Sequence, residues 1–134
     1  MNNTQLEEIK KGKRIFEGDL DLEGYISLKS LPEGLSVGKD LWLKGCTYLT
    51  SLPEGLTVGG GLGLEDCTSL KSLPENLKVG GNLICGGCSS LTSLPKKLKI
   101  KRNIYLTENL NKQVIEDAEK AKEEKRIKRE VIIY

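Results

Sequence analysis

Apolar residues recur along this chain in a fixed rhythm. From Ser30 they fall at Leu31, Leu35, Val37, Leu41, Leu43 and Leu49, and the same set returns 21, 42 and 63 residues later. Residues 30–50 read SLPEGLSVGKDLWLKGCTYLT, 51–71 read SLPEGLTVGGGLGLEDCTSLK, and 72–92 read SLPENLKVGGNLICGGCSSLT. A fourth copy opens at Ser93 as SLPKKLKIKRNIYLTENL, and residues 15–29, IFEGDLDLEGYISLK, fit the register as a degraded first copy without its SLP. The L-x-L step has period two, so it predicts a short strand that buries both leucines and turns the intervening residue to solvent. Stacking successive copies puts these strands in parallel about 4.8 Å apart. Proline after the leucine keeps the S-L-P-E segment out of a ladder, which makes it the extended or turning opposite side. Glycines at 38, 59–60 and 80–81 are placed to permit tight bends between sides.

Both ends change character, as the ends of a stacked repeat must. Thr4-x-x-Glu7 reads as a capping box that opens a short helix with Leu6 and Ile9 on its apolar side, ended near Gly12. Beyond Asn109 the chain becomes rich in alanine, glutamate and lysine with no glycine or proline, which predicts a helix over about 111–129. Its apolar stripe (Leu110, Val114, Ala118, Ala121) spans only the first half, so the early turns are expected to cap the last coil and the later ones to project into water. The expected organisation is one domain over 1–134: a helical cap over 1–13, repeat coils over 14–110, and a helix and tail over 111–134.

Composition narrows the chemistry. Histidine is absent, which removes the usual neutral-pH base, the Ser-His and Cys-His nucleophile pairs, and every imidazole metal ligand. No enzyme and no cofactor is expected. No apolar run approaches the 18 residues of a membrane span, and the first residues lack the apolar segment of a signal peptide, so the expectation is a cytoplasmic protein with reduced cysteines. The glycines of Val58–Gly63 resemble a phosphate loop in glycine content alone, since no G-K-[ST] follows. Acidic residues 19, 21 and 23 are expected to guard an exposed strand edge rather than to hold a metal.

The stretches LWLKGCTYLTSLP, LGLEDCTSLKSLP and LICGGCSSLTSLP follow L-x-L-x-x-C-x-x-L-x-x-L-P, which resembles the leucine-rich repeat over about residues 15–110. The resemblance implies an α/β leucine-rich-repeat solenoid of four to five parallel coils, with a short N-terminal helix and a C-terminal capping helix. The L-P-x-x-L element is similar to the short repeats of bacterial effector and phage proteins. Some such effectors carry a separate ubiquitin-ligase domain, for which this chain is too short.

That register addresses the C-x-x-C formed by Cys85 and Cys88. Cys46, Cys67 and Cys88 share one column, with Asn109 next in line, and the resemblance implies a ladder of inward side chains donating to turn carbonyls. Cys85 belongs to the column of Leu22, Leu43, Leu64 and Leu106, where it acts as a small buried hydrophobe. Residues stacked in one column are spaced like rungs and cannot converge with Cys85 on one zinc ion.

Function is then expected on the outward position of L-x-L, which reads Asp21, Trp42, Gly63, Ile84 and Tyr105. Two aromatics and an isoleucine on one surface column predict a protein-binding face, in keeping with a non-enzymatic interaction module, an inhibitor or effector of bacterial or phage type. Charge supplies the alternative. Residues 1–92 carry 9 basic and 12 acidic residues, whereas 93–134 carry 12 basic and 7 acidic, and Lys96, Lys97, Lys99, Lys101 and Arg102 crowd the last coil. A nucleic acid or nucleotide could meet that basic run. A structural or self-assembling role is the remaining alternative, and the oligomeric state is open.

Overall fold

The computed structural model describes residues 4–134. The elements are α1 (Thr4–Lys10), β1 (Ile15–Phe16), β2 (Leu20–Asp21), β3 (Ser36–Val37), β4 (Leu41–Trp42), β5 (Thr57–Val58) and β6 (Leu62–Gly63). They continue with β7 (Lys78–Val79), β8 (Leu83–Ile84), β9 (Lys99–Ile100), β10 (Ile104–Leu106), α2 (Lys112–Glu123) and β11 (Val131–Ile133). The strands stack into two parallel sheets, a first in the order β1-β3-β5-β7-β9 and a second in the order β11-β10-β8-β6-β4-β2. Leu41 pairs with Leu62 and Val37 with Val58, a register of one 21-residue repeat per rung. The protein is a parallel β-solenoid.

Each repeat closes on a third side made of turns. The carbonyls of Pro53, Pro74 and Pro95 accept from the amides of Leu56, Leu77 and Leu98, so L-P-x-x-L is a turn that never enters a ladder. At the other corner the amides of Cys46 and Cys67 donate back to Leu43 and Leu64, and Cys88 to Cys85. That corner needs a left-handed residue before the cysteine, supplied by Gly45, Asp66 and Gly87. Inside the coil the leucines of L-x-L are fully buried, each contributing about 1.5–3 kcal/mol of apolar burial.

The sequence pattern showed one strand per repeat; the second, S/T/K-Val, carries a single inward apolar residue and is as short. The glycines between the sheets serve a different purpose from the expected one. Gly38, Gly59 and Gly80 are not left-handed; a Cβ on Gly59 would lie 3.0 Å from the carbonyl carbon of Gly38 and closer to its oxygen. They are glycine because one coil's bend rests directly on the bend below.

The ends are finished by residues outside the repeat. α1 packs Leu6 and Ile9 against the core, and Gln5 serves the edge strand β2, its amide donating to Asp19 O at 2.8 Å and its Oε1 accepting from Asp21 N at 3.0 Å. Thr4, expected as the cap, is already helical; the position before it lies outside the described residues.

The C-terminal helix is shorter than expected. Leu110, Val114, Ala118 and Ala121 are buried as anticipated, but α2 stops at Glu123 and Lys125 takes a left-handed φ of 64°. Residues beyond it return to the solenoid instead of projecting into water. Ile127 bridges Ile100, and β11 pairs with β10 from Ile104↔Val131 to Leu106↔Ile133. Ile127 and Val131 bury apolar surface that a continued helix would have left in solvent.

Candidate functional site

The outward column of the second sheet is continuous in register, Asp21↔Trp42, Trp42↔Gly63, Gly63↔Ile84 and Ile84↔Tyr105, and β11 extends it to Ile132. Asp21 is exposed at the edge and its Oδ1 accepts from Glu23 N, so the apolar part begins at Trp42. Trp42, Ile84, Tyr105 and Ile132 are all half-buried. They lean on one another along the stack rather than standing free. A Cβ on Gly63 would lie 2.6 Å from Trp42 Cε3, so the indole lies over the glycine rung. Gly63 is therefore not an open slot; it is the seat of the tryptophan. Tyr105 is oriented by Asn103, whose Nδ2 donates to its hydroxyl at 3.3 Å.

One position before L-x-L stands a polar column that the sequence reading overlooked. Asp40 N donates to Asp19 Oδ1 at 2.9 Å, Gly61 N to Asp40 Oδ1 at 2.7 Å, Asn103 N to Asn82 Oδ1 at 2.9 Å, and Glu130 N to Asn103 Oδ1 at 2.9 Å. Each side-chain oxygen thus takes the backbone amide of the next rung, pinning the coils where the chain enters the second sheet. Its signal was present: an Asp or Asn precedes L-D-L, L-W-L, L-I-C and I-Y-L.

Beside this column a trough of about 410 Å³ opens, bordered by Asp40, Trp42, Gly61, Asn82, Ile84 and Arg102. Among the described residues no group of three or more Cys, Asp and Glu is placed to hold a metal ion. The carboxylates at 19 and 21 are engaged by backbone amides instead.

The basic run of the last coil does not form one patch. Lys99 and Lys101 border a groove of about 640 Å³ at the end of the first sheet, Arg102 borders the trough, and Lys96 lies near Glu75 on the turn side. Lys97 is exposed and borders none of these three concavities. The groove gains cations that sequence order kept apart: Lys78 from an earlier coil and Lys125, Arg126 and Lys128 from the returning tail. Arg126 is committed to the structure, with Nε and Nη2 on Glu124 Oε1 and Nη1 on the carbonyl of Leu98 at 3.1 Å. Lys78 and Lys99 are register partners, so two like charges sit on adjacent rungs about 4.8 Å apart. Tyr105 lies on the other sheet, so the groove and that aromatic are not brought together.

The cysteines are structural. Cys46 Sγ donates to Leu22 O at 3.2 Å, Cys67 Sγ to Leu43 O at 3.2 Å, and Cys88 Sγ to Leu64 O at 3.0 Å, all fully buried. The expected fourth rung fails: Asn109 is exposed and Leu110 is buried in its place. The corner there is displaced by one residue, with Leu110 N on Thr107 O, because Asn111 caps α2 by accepting from Gln113 N at 2.8 Å. Cys85 is a buried core residue. Burial pushes the Cys46 thiol up to about 11 and the Cys67 thiol to about 12. The hydrogen bond with Cys88, and then burial, raise Cys85 well above its ordinary value. Thiols held protonated in this way are poor nucleophiles at neutral pH.

Comparison of the chain with protein families, with curated proteins and with solved structures finds no match. Among the described residues no helix is long and apolar enough to cross a membrane.

Proposed function

We propose that this chain is a non-enzymatic protein-binding module of the leucine-rich-repeat type, which takes its partner on the outer face of the second sheet. The L-x-L-x-x-C signature and the thiol-to-carbonyl ladder support the repeat identity. The binding reading rests on one observation: the outward column from Trp42 through Ile84 and Tyr105 to Ile132 is an apolar strip on a flat, rigid sheet. Aromatic side chains held by their neighbours lose little entropy on binding, which is why such residues dominate interface energetics.

Affinity capture with wild-type and Trp42→Ala protein tests it. Trp42→Ala should cost about 1 kcal/mol of stability, since half the side chain is already buried. It should weaken partner capture by about 2 kcal/mol or more, close to thirtyfold. Capture by the folded variant at wild-type strength would remove the strip from consideration. Gly63→Glu is no longer a clean blocking change, because its side chain would displace the indole of Trp42.

A second reading has its own observation. Lys78, Lys99, Lys101, Lys125 and Lys128 face one groove and form no ion pair among the described residues, which suits a polyanion such as a nucleic acid. Lys78→Glu with Lys99→Glu should abolish binding to a single-stranded oligonucleotide and flatten its salt slope, while leaving capture through Trp42 unchanged. Oligonucleotide binding of equal strength in that variant would sink the reading.

A further inference from the structure

The polar column beside the second sheet is interrupted once, and the interruption carries a binding site. At every other rung from Asp40 to Glu130 the backbone amide meets a side-chain oxygen of the rung before it. Residue 61 is glycine, so the amide of Asn82 has no such oxygen, and no other hydrogen bond among the described residues takes it. The place where the oxygen would stand is not filled by anything else. A Cβ on Gly61 would meet Asn82 N at 3.8 Å and nothing nearer than 3.4 Å, so there is room for a side chain that the sequence does not supply. That space is the floor of the trough, and Arg102 stands at its border with no ion pair among the described residues.

An amide N–H and a guanidinium converging on one polar space select an anion, because a charge-assisted bond to either is about twice as strong as a neutral one. The other rungs show which anion has the right reach: an Asp carboxylate accepts at 2.9 Å from Asp40 N and at 2.7 Å from Gly61 N. Asp40 also borders the trough, but its Oδ1 already accepts from Gly61 N, and it lies on the rung away from Arg102. Trp42 and Ile84 supply apolar flanks on the strand side.

We propose that the trough binds the carboxylate of an acidic side chain presented by a partner protein, which completes the ladder at Asn82 and pairs with Arg102 while its neighbours contact Trp42 and Ile84. This deepens the strand-face reading and rests on it for the source of the carboxylate. The ligand recognised would be an aspartate flanked by apolar residues.

The test is a titration of ¹⁵N-labelled protein with N-acetyl-Leu-Asp-Leu amide, and in parallel with sodium acetate, at constant ionic strength. The Asn82 amide should shift downfield and saturate. The peptide should reach half-saturation at a concentration at least tenfold below that of acetate. Arg102→Ala should raise that concentration threefold or more. Gly61→Asn, which supplies the ladder oxygen from within, should raise the unfolding midpoint and abolish the saturable shift. An Asn82 amide that does not respond, or that responds equally in the folded Gly61→Asn protein, would overturn the site. Equal affinity for acetate and peptide would overturn the side-chain source. Because the ligand is synthetic, this result is independent of whether Trp42→Ala alters partner capture, so the two readings fail separately.

Discussion

Gly59→Ala should destabilise the protein by about 1–3 kcal/mol or more, while Gly61→Ala, two residues away, should leave it unchanged or stabilise it by about 0.4–1 kcal/mol. Neither residue is left-handed, so the contrast does not come from backbone strain. It comes from what lies under each Cβ. At Gly59 the added methyl overlaps the carbonyl of Gly38, a backbone group that also sits in a bend and cannot move without displacing the coil below. At Gly61 the nearest atom is Asn82 O at 3.4 Å, an ordinary contact, and the methyl only restricts the unfolded chain. Urea unfolding of the two variants beside wild type decides the matter. Equal midpoints for Gly59→Ala and Gly61→Ala would mean that the coils are not in close contact at this corner.

The repeat was legible because a stacked coil must present the same inward residues on every turn, and four copies made the 21-residue spacing plain. The first sheet was harder to see. A two-residue strand with one buried valine, such as Thr57–Val58, has too few positions to show period two. The return of the tail was written in the sequence in a form that the period obscured: IKRNIYL at 100–106 reappears as IKREVII at 127–133. The step is 27 residues rather than 21, because α2 replaces the turn side of that coil. Helix propensity alone favoured continuing through Lys125; burial of Ile127 and Val131 decided against it.

At the site, alternation predicted which residues face outward but not how they lean. Period two places Trp42 and Gly63 on the same face and says nothing about the indole turning along the stack onto the neighbouring rung. Sequence proximity likewise grouped Lys99, Lys101 and Arg102, although the bend between β9 and β10 sends Arg102 toward the trough and the two lysines toward the groove. The groove's remaining cations come from Lys78 and the tail, which only the fold brings together.

The four cysteines should be inert to iodoacetamide at pH 8 in the native protein and all reactive once it is unfolded, and raising the pH above 9 should weaken the fold itself. The sign follows from which state holds the proton. The folded protein keeps Cys46 protonated to about 11 and Cys67 to about 12, chiefly because a thiolate there would be desolvated, whereas in the unfolded chain both ionise near 9.0. Between those values the folded state binds more protons than the unfolded state, so stability falls as pH rises. The contribution is intact below pH 9 and is lost through the window from 9 to 12. At about 1.4 kcal/mol per unit, each of these two thiols costs roughly 2–3 kcal/mol by pH 11. Their sum approaches the whole stability of a typical domain. Lysines and tyrosines also titrate in that range, so the informative comparison is with Cys46→Ser, Cys67→Ser protein. A hydroxyl can still donate to Leu22 O and Leu43 O but does not ionise, and the double variant should lose less stability than wild type between pH 9 and 11. Parallel losses in the two proteins, or rapid alkylation of Cys85 and Cys88 in the native state, would show that these thiols are not the sequestered ladder and core groups described above.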